Sequence, residues 1–236
     1  MLNSLKEQVC QANLDLVREG LVIDTWGNAS GIDREAGFVV IKPSGVPYSK
    51  MVPDQMVVVE LQTGRVAEGG LSPSSDTPTH LALYREFPHV GGVVHTHSFQ
   101  ATAWAQACRE IPALGTTHAD YFFGPVPCTR QLIEAEIRED YEANTAAVII
   151  ETFRGRDPMS CPAVLVASHG PFTWGRTPAD AVRTAAVLEA VARMASETLN
   201  ISPSVNPMQQ VLLEKHFLRK HGPGAYYGQA GERGLK

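Results

Sequence analysis

Leu5, Val9, Ala12 and Leu16 recur at three- and four-residue intervals, the spacing that lines one face of an α-helix, and Gly20 follows as a C-terminal cap. Trp26-Gly27-Asn28-Ala29-Ser30-Gly31 reads as a loop. The apolar run Phe38-Val39-Val40-Ile41 then predicts a strand that ends in the turn Lys42-Pro43-Ser44-Gly45. Val57-Val58-Val59 and Arg65-Val66-Ala67 flank Thr63-Gly64 and predict a hairpin. Asp76-Thr77-Pro78 opens a helix that runs to about Phe87. The stretch from Gly91 to Ser98 is a short buried strand whose polar end carries His95 and His97, and Ser98 stands where it can cap a helix over Ala101 to Cys108. Helical spacing returns from Leu132 to Glu142, followed by strands at Ala147 to Ile150 and Ala163 to Ala167. Thr177-Pro178-Ala179-Asp180 combines a cap, a proline at the first helical position and an acid in the first turn, so a long Ala-rich helix is expected to about Leu199. A last helix spans about Met208 to Lys220.

Strands and helices interleave with short linkers, no internal repeat and no break in composition. The only Pro/Ser-rich stretch, Ile201 to Pro207, is a turn between helices. One α/β domain with a helix-covered sheet follows, and the hairpin signals make that sheet largely antiparallel. The 236 residues are enough for one full core, and 44% hydrophobic with 19% charged residues is ordinary for a globular chain. A formal net charge of −5 and a pI near 5.9 argue against a nucleic-acid-binding surface. The N-terminus lacks the apolar core of a signal peptide, and no apolar run approaches the roughly 18 to 20 residues that span a membrane. Cys10, Cys108, Cys128 and Cys161 are widely separated with no Cys-x-x-Cys, as expected of reduced thiols in the cytoplasm.

The candidate chemistry starts at His95-Thr96-His97. Residues i and i+2 of a strand face the same way, so the two imidazoles can share a metal ion. His169 lies just beyond the strand at 163–167, again at a strand end, and Asp76 offers a carboxylate, with helix capping as its alternative use. Three histidines and one carboxylate suit a zinc-like divalent ion better than magnesium or calcium. His118 competes for a ligand place, but its neighbour Asp120 favours a supporting role; His80 and His89 read as a surface-helix and a loop residue. Two segments look made for an anion: Lys42-Pro43-Ser44-Gly45, and Ser74-Ser75-Asp76-Thr77-Pro78 entering a helix N-terminus. Either alone reads equally well as an ordinary turn or cap. Together, one of them touching a proposed metal ligand, they suggest a phosphorylated metabolite beside a metal.

These motifs carry a family resemblance. Trp26-Gly27-Asn28, Ile41-Lys42-Pro43-Ser44-Gly45, Ser74-Ser75-Asp76-Thr77-Pro78-Thr79-His80, His95-Thr96-His97, Gly115-Thr116-Thr117-His118-Ala119-Asp120-Tyr121 and Ser168-His169-Gly170-Pro171-Phe172 occur in one order. They look like the L-ribulose-5-phosphate 4-epimerase branch of the class II aldolase/epimerase family. The ending Lys215-His216-Phe217-Leu218-Arg219-Lys220-His221-Gly222 with Ala225-Tyr226-Tyr227-Gly228-Gln229 is similar too, so the likeness covers residues 1–229 as one domain and leaves 230–236 as a tail. The loop from Arg154 to Cys161 matches no motif.

The resemblance implies a three-layer α/β/α sandwich around a mostly antiparallel sheet, one zinc ion per subunit, a sugar-phosphate substrate and a homotetramer with sites between subunits. Residue by residue, it implies that Asp76, His95, His97 and His169 are metal ligands. Gly27, Asn28, Ser44, Gly45, Ser74 and Ser75 match substrate-binding positions, Lys42 falls in the same pocket motif, and Asp120 and Tyr227 match the acid–base pair. Tyr227 and the substrate-site residue His216 would reach a neighbour's metal. The implied activity interconverts L-ribulose 5-phosphate and D-xylulose 5-phosphate, a step of arabinose catabolism that equally serves ascorbate and xylulose routes. Two alternatives remain. Class II aldolases of the fuculose- and rhamnulose-phosphate type resemble this pattern but carry Glu where this chain has Asp76; adducin-like binding proteins lack the full histidine set, all of which is present here.

Overall fold

The structure, a computed structural model, describes residues 2–227. In chain order it runs α1 (Asn3–Arg18), β1 (Asn28–Asp33), β2 (Phe38–Ile41), β3 (Val57–Glu60), β4 (Val66–Glu68), α2 (Thr77–Glu86), β5 (Gly92–His95), α3 (Phe99–Gln106), α4 (Thr116–Ala119), α5 (Glu134–Arg138), α6 (Tyr141–Thr152), β6 (Ala163–Leu165), β7 (Pro171–Gly175), α7 (Pro178–Ile201) and α8 (Gln210–His221). The seven strands form one sheet in the order β4-β3-β2-β1-β5-β7-β6, and every neighbouring pair is antiparallel. Among the described residues no helix is long and apolar enough to cross a membrane.

The strand alternation sorts the core into two layers. Val39, Ile41, Val57, Val59, Val93, Val164, Phe172 and Trp174 face one way and pack with Leu81 and Tyr84 of α2 and Ile149 of α6. Their neighbours Val40 and Val58 pack against α1, Ala29 and Val94 against α1 and α7, and Ala163 and Leu165 against α3 and α7. A helical layer on each face of an antiparallel sheet is the expected sandwich. Register carries this alternation across the sheet, pairing Ser30 with Val93 and Asn28 with His95. Asn28, Ser30 and His95 therefore share the face covered by α2 and α6.

Three sequence expectations change. The segment 28–31, read as a loop, is the first half of the central strand β1. Its small residues hide it, and they are required: a Cβ on Gly31 would stand 2.8 Å from the Pro178 ring and 2.9 Å from Leu5. The predicted strand from Ala147 to Ile150 lies inside α6, because a four-residue apolar run cannot distinguish a strand from the buried face of a helix. The helix expected over 132–142 breaks into α5 and the start of α6 at Asp140, which adopts a left-handed φ of 46°. β7 was masked by the turn residues that precede it, and Pro171 is tolerated there as the strand's first residue.

The cap on α7 forms as its sequence predicts, with Asp180 N donating to Thr177 Oγ1 at 3.1 Å. Thr177→Ala is expected to cost about 1 kcal/mol, read as a lowered midpoint in denaturant with an unchanged slope.

Candidate active site

β5 ends at His95, and its ring stacks on Phe172 of β7 with centroids 4.2 Å apart. His95 Nδ1 lies 3.0 Å from the Pro171 carbonyl oxygen. A carbonyl only accepts, so Nδ1 carries the proton and Nε2 presents its lone pair. His97 emerges two residues on, its Nε2 3.1 Å from His95 Nε2. His169 sits in the turn between β6 and β7, its ring centroid 4.7 Å from that of His95 and 5.1 Å from that of His97. One nitrogen from each of the three rings falls within 4.8 Å of the others. Burial lowers the basicity of all three, His169 to a pKa of about 3, and the repulsion among them if more than one were protonated lowers it further, so each is held in the neutral form that ligates metal.

Asp76 occupies the N-cap position of α2, but its side chain makes no capping bond. Its Oδ2 instead accepts from Asn28 Nδ2 at 2.6 Å. Burial works to raise its pKa, but His95, His80, the Asn28 hydrogen bond and His169 outweigh it and hold the carboxyl below the usual range. Asn28 also reaches Ser74 Oγ at 3.1 Å, while its Oδ1 is buried with no partner. Three neutral imidazoles with converging nitrogens fit a divalent cation well. Asp76, expected as a fourth ligand, lines the same cavity but stands outside the group whose donor atoms lie within 4.8 Å of one another, its carboxylate tied to Asn28.

The two anion-nest segments, thirty residues apart in sequence, run side by side. Pro43 and Pro73 form a β-bridge, Ser44 N donates to Ser72 O at 2.9 Å, and Ser74 N donates to Lys42 O at 3.0 Å. Lys42 is buried, with its Nζ 5.0 Å from the Tyr48 ring centroid. Burial lowers its pKa, and Asp76 partly restores it. Among the described residues no carboxylate lies within ion-pair distance of this buried ammonium, which suits an anionic ligand. Gly27 completes the wall: at φ 92° its absent Cβ would meet the His95 carbonyl at 2.9 Å.

One cavity of about 360 Å³ gathers these groups. Gly27, Asn28, Lys42, Ser44, Gly45, Ser74 and Ser75 line it together with Asp76, His95, His97 and His169. Thr25, Trp26, Tyr141 and Glu142 also line it, and sequence reasoning gave none of them a role.

Asp120, His216 and Tyr227 are absent from that lining and form a second cluster where α4 meets α8. Asp120 takes two bonds from Arg219, Nε to Oδ1 at 3.1 Å and Nη2 to Oδ2 at 2.8 Å, and one contact from His216 Nδ1 at 3.1 Å. The Tyr227 ring lies over the same guanidinium at 4.3 Å. Residues 228–236, including Gly228, Gln229 and the tail at 230–236, lie outside the described residues.

His118 holds a structural place, its Nε2 donating to the Gly124 carbonyl at 2.7 Å. His80 corrects the surface-helix reading: it is fully buried, and its Nδ1 stands 2.7 Å from Ser30 Oγ, which in turn meets Tyr84 Oη at 2.8 Å. Its i+4 spacing from Asp76 was the available signal, since it puts both side chains on one helix face.

Residues 7–196 match the family described as "Class II Aldolase and Adducin N-terminal domain". The chain is 60% identical over 228 residues to the L-ribulose-5-phosphate 4-epimerase UlaF of Salmonella paratyphi C (strain RKS4594), covering 97% of this chain and all of the relative. The corresponding protein of Salmonella typhi is similar to the same degree. Among solved structures, an L-fuculose 1-phosphate aldolase superimposes with a TM-score of 0.76 at 24% identity, over 90% of this chain and 94% of that one, which shows the shared fold. The chain is a member of the class II aldolase and adducin N-terminal domain family.

Proposed function

We propose that this chain is a zinc-dependent L-ribulose-5-phosphate 4-epimerase, interconverting L-ribulose 5-phosphate and D-xylulose 5-phosphate. The observation that carries the reading is the single cavity in which three converging imidazoles and Asp76 stand beside Lys42 and the paired serine segments. The 60% identity to a curated epimerase over the whole of its length supports the same assignment. Zinc is favoured because the donor set is rich in imidazole.

The hydrogen on C4 is not adjacent to the C2 carbonyl and is not acidic, so simple deprotonation cannot invert that carbon. Opening the C3–C4 bond can. A base takes the C4 hydroxyl proton, and retro-aldol cleavage gives the enediolate of dihydroxyacetone and glycolaldehyde phosphate. The aldehyde turns to present its other face, the bond re-forms, and the new C4 alkoxide is protonated from the opposite side. Asp76, His95, His97 and His169 would hold the zinc ion, which would supply Lewis acidity for the negative charge that develops on the ketose oxygens. Lys42, Ser44, Gly45, Ser74 and Ser75 grip the 5-phosphate, and Gly27 and Asn28 shape the wall beside it. The anchored phosphate keeps the aldehyde fragment in place while it rotates.

Inversion needs one proton-transfer group on each face, and Asp120 and Tyr227 fill those roles. Both lie off the cavity of their own chain, which supports a homotetramer in which Asp120, His216 and Tyr227 complete a neighbour's site. Asp76 in place of glutamate supports epimerisation over release of the two fragments, since the shorter carboxylate is already tied to Asn28. The four cysteines are free thiols, in keeping with a cytoplasmic enzyme.

The decisive experiment supplies L-ribulose 5-phosphate to the purified, zinc-loaded protein and follows the configuration at C4. The expected product is D-xylulose 5-phosphate, formed to an equilibrium mixture. Accumulation of free dihydroxyacetone and glycolaldehyde phosphate would instead identify an aldolase, and no turnover with no bound metal a binding protein.

A further inference from the structure

The three imidazoles of the cluster differ in what their outward nitrogens meet. That contact sets the tautomer and angle of a ligating ring. For His95 it is the Pro171 carbonyl, held by the sheet. His97 is exposed, its ring beside Trp26 with centroids 6.4 Å apart. For His169 it is a side chain from a distant segment: Nδ1 stands 3.2 Å from the hydroxyl of Tyr141, the first residue of α6.

We infer that Tyr141 is the positioning residue for His169, fixing the tautomer and ring angle with which that histidine meets a metal ion. With Nδ1 engaged by the phenol, Nε2 is the nitrogen left to face His95 and His97. A neutral imidazole that ligates through Nε2 carries its proton on Nδ1, so Nδ1–H donates to the Tyr141 oxygen. The phenol's own hydrogen then remains a donor towards the cavity that Tyr141 lines.

The backbone on both sides supports a contact held against local preference. Asp140, immediately before Tyr141, has φ 46°, and Ser168, immediately before His169, has φ 61°. Both are non-glycine residues in the left-handed region; aspartate enters it comparatively readily, whereas Ser168 keeps it only where surrounding structure enforces it. Ser168 N donates to Ala105 O at 2.9 Å and His169 N to Val166 O at 3.0 Å, locking one turn. Asn144 locks the other, its Nδ2 donating to Glu139 O at 2.6 Å and Glu136 O at 3.0 Å. Two segments 28 residues apart each make such a turn one residue before a partner of this hydrogen bond. The half-buried phenol sits at the cavity wall, outside the apolar clusters of the core, so its hydroxyl can be removed without opening a void.

The inference rests on the metal-site reading, and the test separates the two. Zinc affinity is measured by chelator competition for the wild type and Tyr141→Phe, with the visible absorption of the cobalt(II)-loaded forms and the melting temperature of the metal-free forms alongside. The expected result is a 10- to 100-fold weaker affinity in Tyr141→Phe, of the order found for other outer partners of ligating histidines. A shifted cobalt spectrum and an unchanged metal-free melting temperature are expected with it. Wild-type affinity and spectrum in Tyr141→Phe would overturn the inference while leaving the metal site standing. An affinity loss matched by a comparable fall in metal-free melting temperature would also overturn it, as the mark of a purely structural role. A wild-type chain that takes up neither ion would overturn the metal-site reading and this inference together.

Discussion

His97→Asn is expected to strip the chain of its metal and its turnover together. His97 projects from the end of β5 into the cavity and is exposed, unlike His95, which is buried against Phe172. Its removal therefore takes away a ligand without opening the core, and the metal-free variant should melt with the metal-free wild type. Asparagine is shorter and offers an amide oxygen where the site presents imidazole nitrogen, so the donor set falls to His95, His169 and Asp76. Lewis-acid stabilisation of developing charge is worth several kcal/mol. At about 1.4 kcal/mol per factor of ten, its loss lowers turnover by about a thousandfold or more. Elemental analysis of the dialysed variant beside the epimerase assay checks both halves. One metal per chain with full activity would remove His97 from the ligand set.

The parts of this site that were legible in sequence are those written in short local patterns. His95 and His97 could be read because their two-residue spacing at a strand end brings the rings together, although β5 stops at His95 and His97 lies just beyond it; the serine-rich turns could be read because glycine, hydroxyl and helix start lie within a few residues of each other. Pairing between distant segments had no such signal. Nothing local says that Ser44 and Ser74 lie on adjacent segments bridged through Pro43 and Pro73. The strand that carries Asn28 was missed because a central strand squeezed between helical layers needs small residues: Gly31 is crowded by Leu5 and Pro178, and Ser30 bonds to buried partners. Such a strand shows neither alternation nor a β-branched run. Tyr141 was hidden for a related reason, since the helical spacing across 132–142 gives no hint of the left-handed turn at Asp140 that aims it at His169. His80 was misread in the opposite direction, as a polar residue assumed to face solvent, although its spacing from Asp76 pointed inward.

Tyr227→Phe is expected to leave the metal in place and remove most of the activity. Tyr227 and Asp120 are 107 positions apart in the numbering yet share one partner: the Arg219 guanidinium binds both Asp120 oxygens and lies 4.3 Å from the Tyr227 ring centre. Burial works to raise the Asp120 carboxyl's pKa, but the Arg219 and His216 hydrogen bonds and the Lys220 charge outweigh it and keep the group ionised. An ionised carboxylate accepts a proton and a phenol donates one, so the pair is matched to deprotonating one C4 alcohol and protonating the epimeric C4 alkoxide. Phenylalanine keeps the ring over Arg219 and deletes only the transferable proton, so Asp120 stays where it is. Loss of one general acid–base corresponds to a fall of about 10²- to 10⁴-fold. The equilibrium constant belongs to the two sugars, so kcat/KM must fall by the same factor in both directions, whichever face Tyr227 serves. Equal losses from L-ribulose 5-phosphate and from D-xylulose 5-phosphate, at unchanged zinc content, are the expected result. Full activity in either direction would take Tyr227 out of the mechanism.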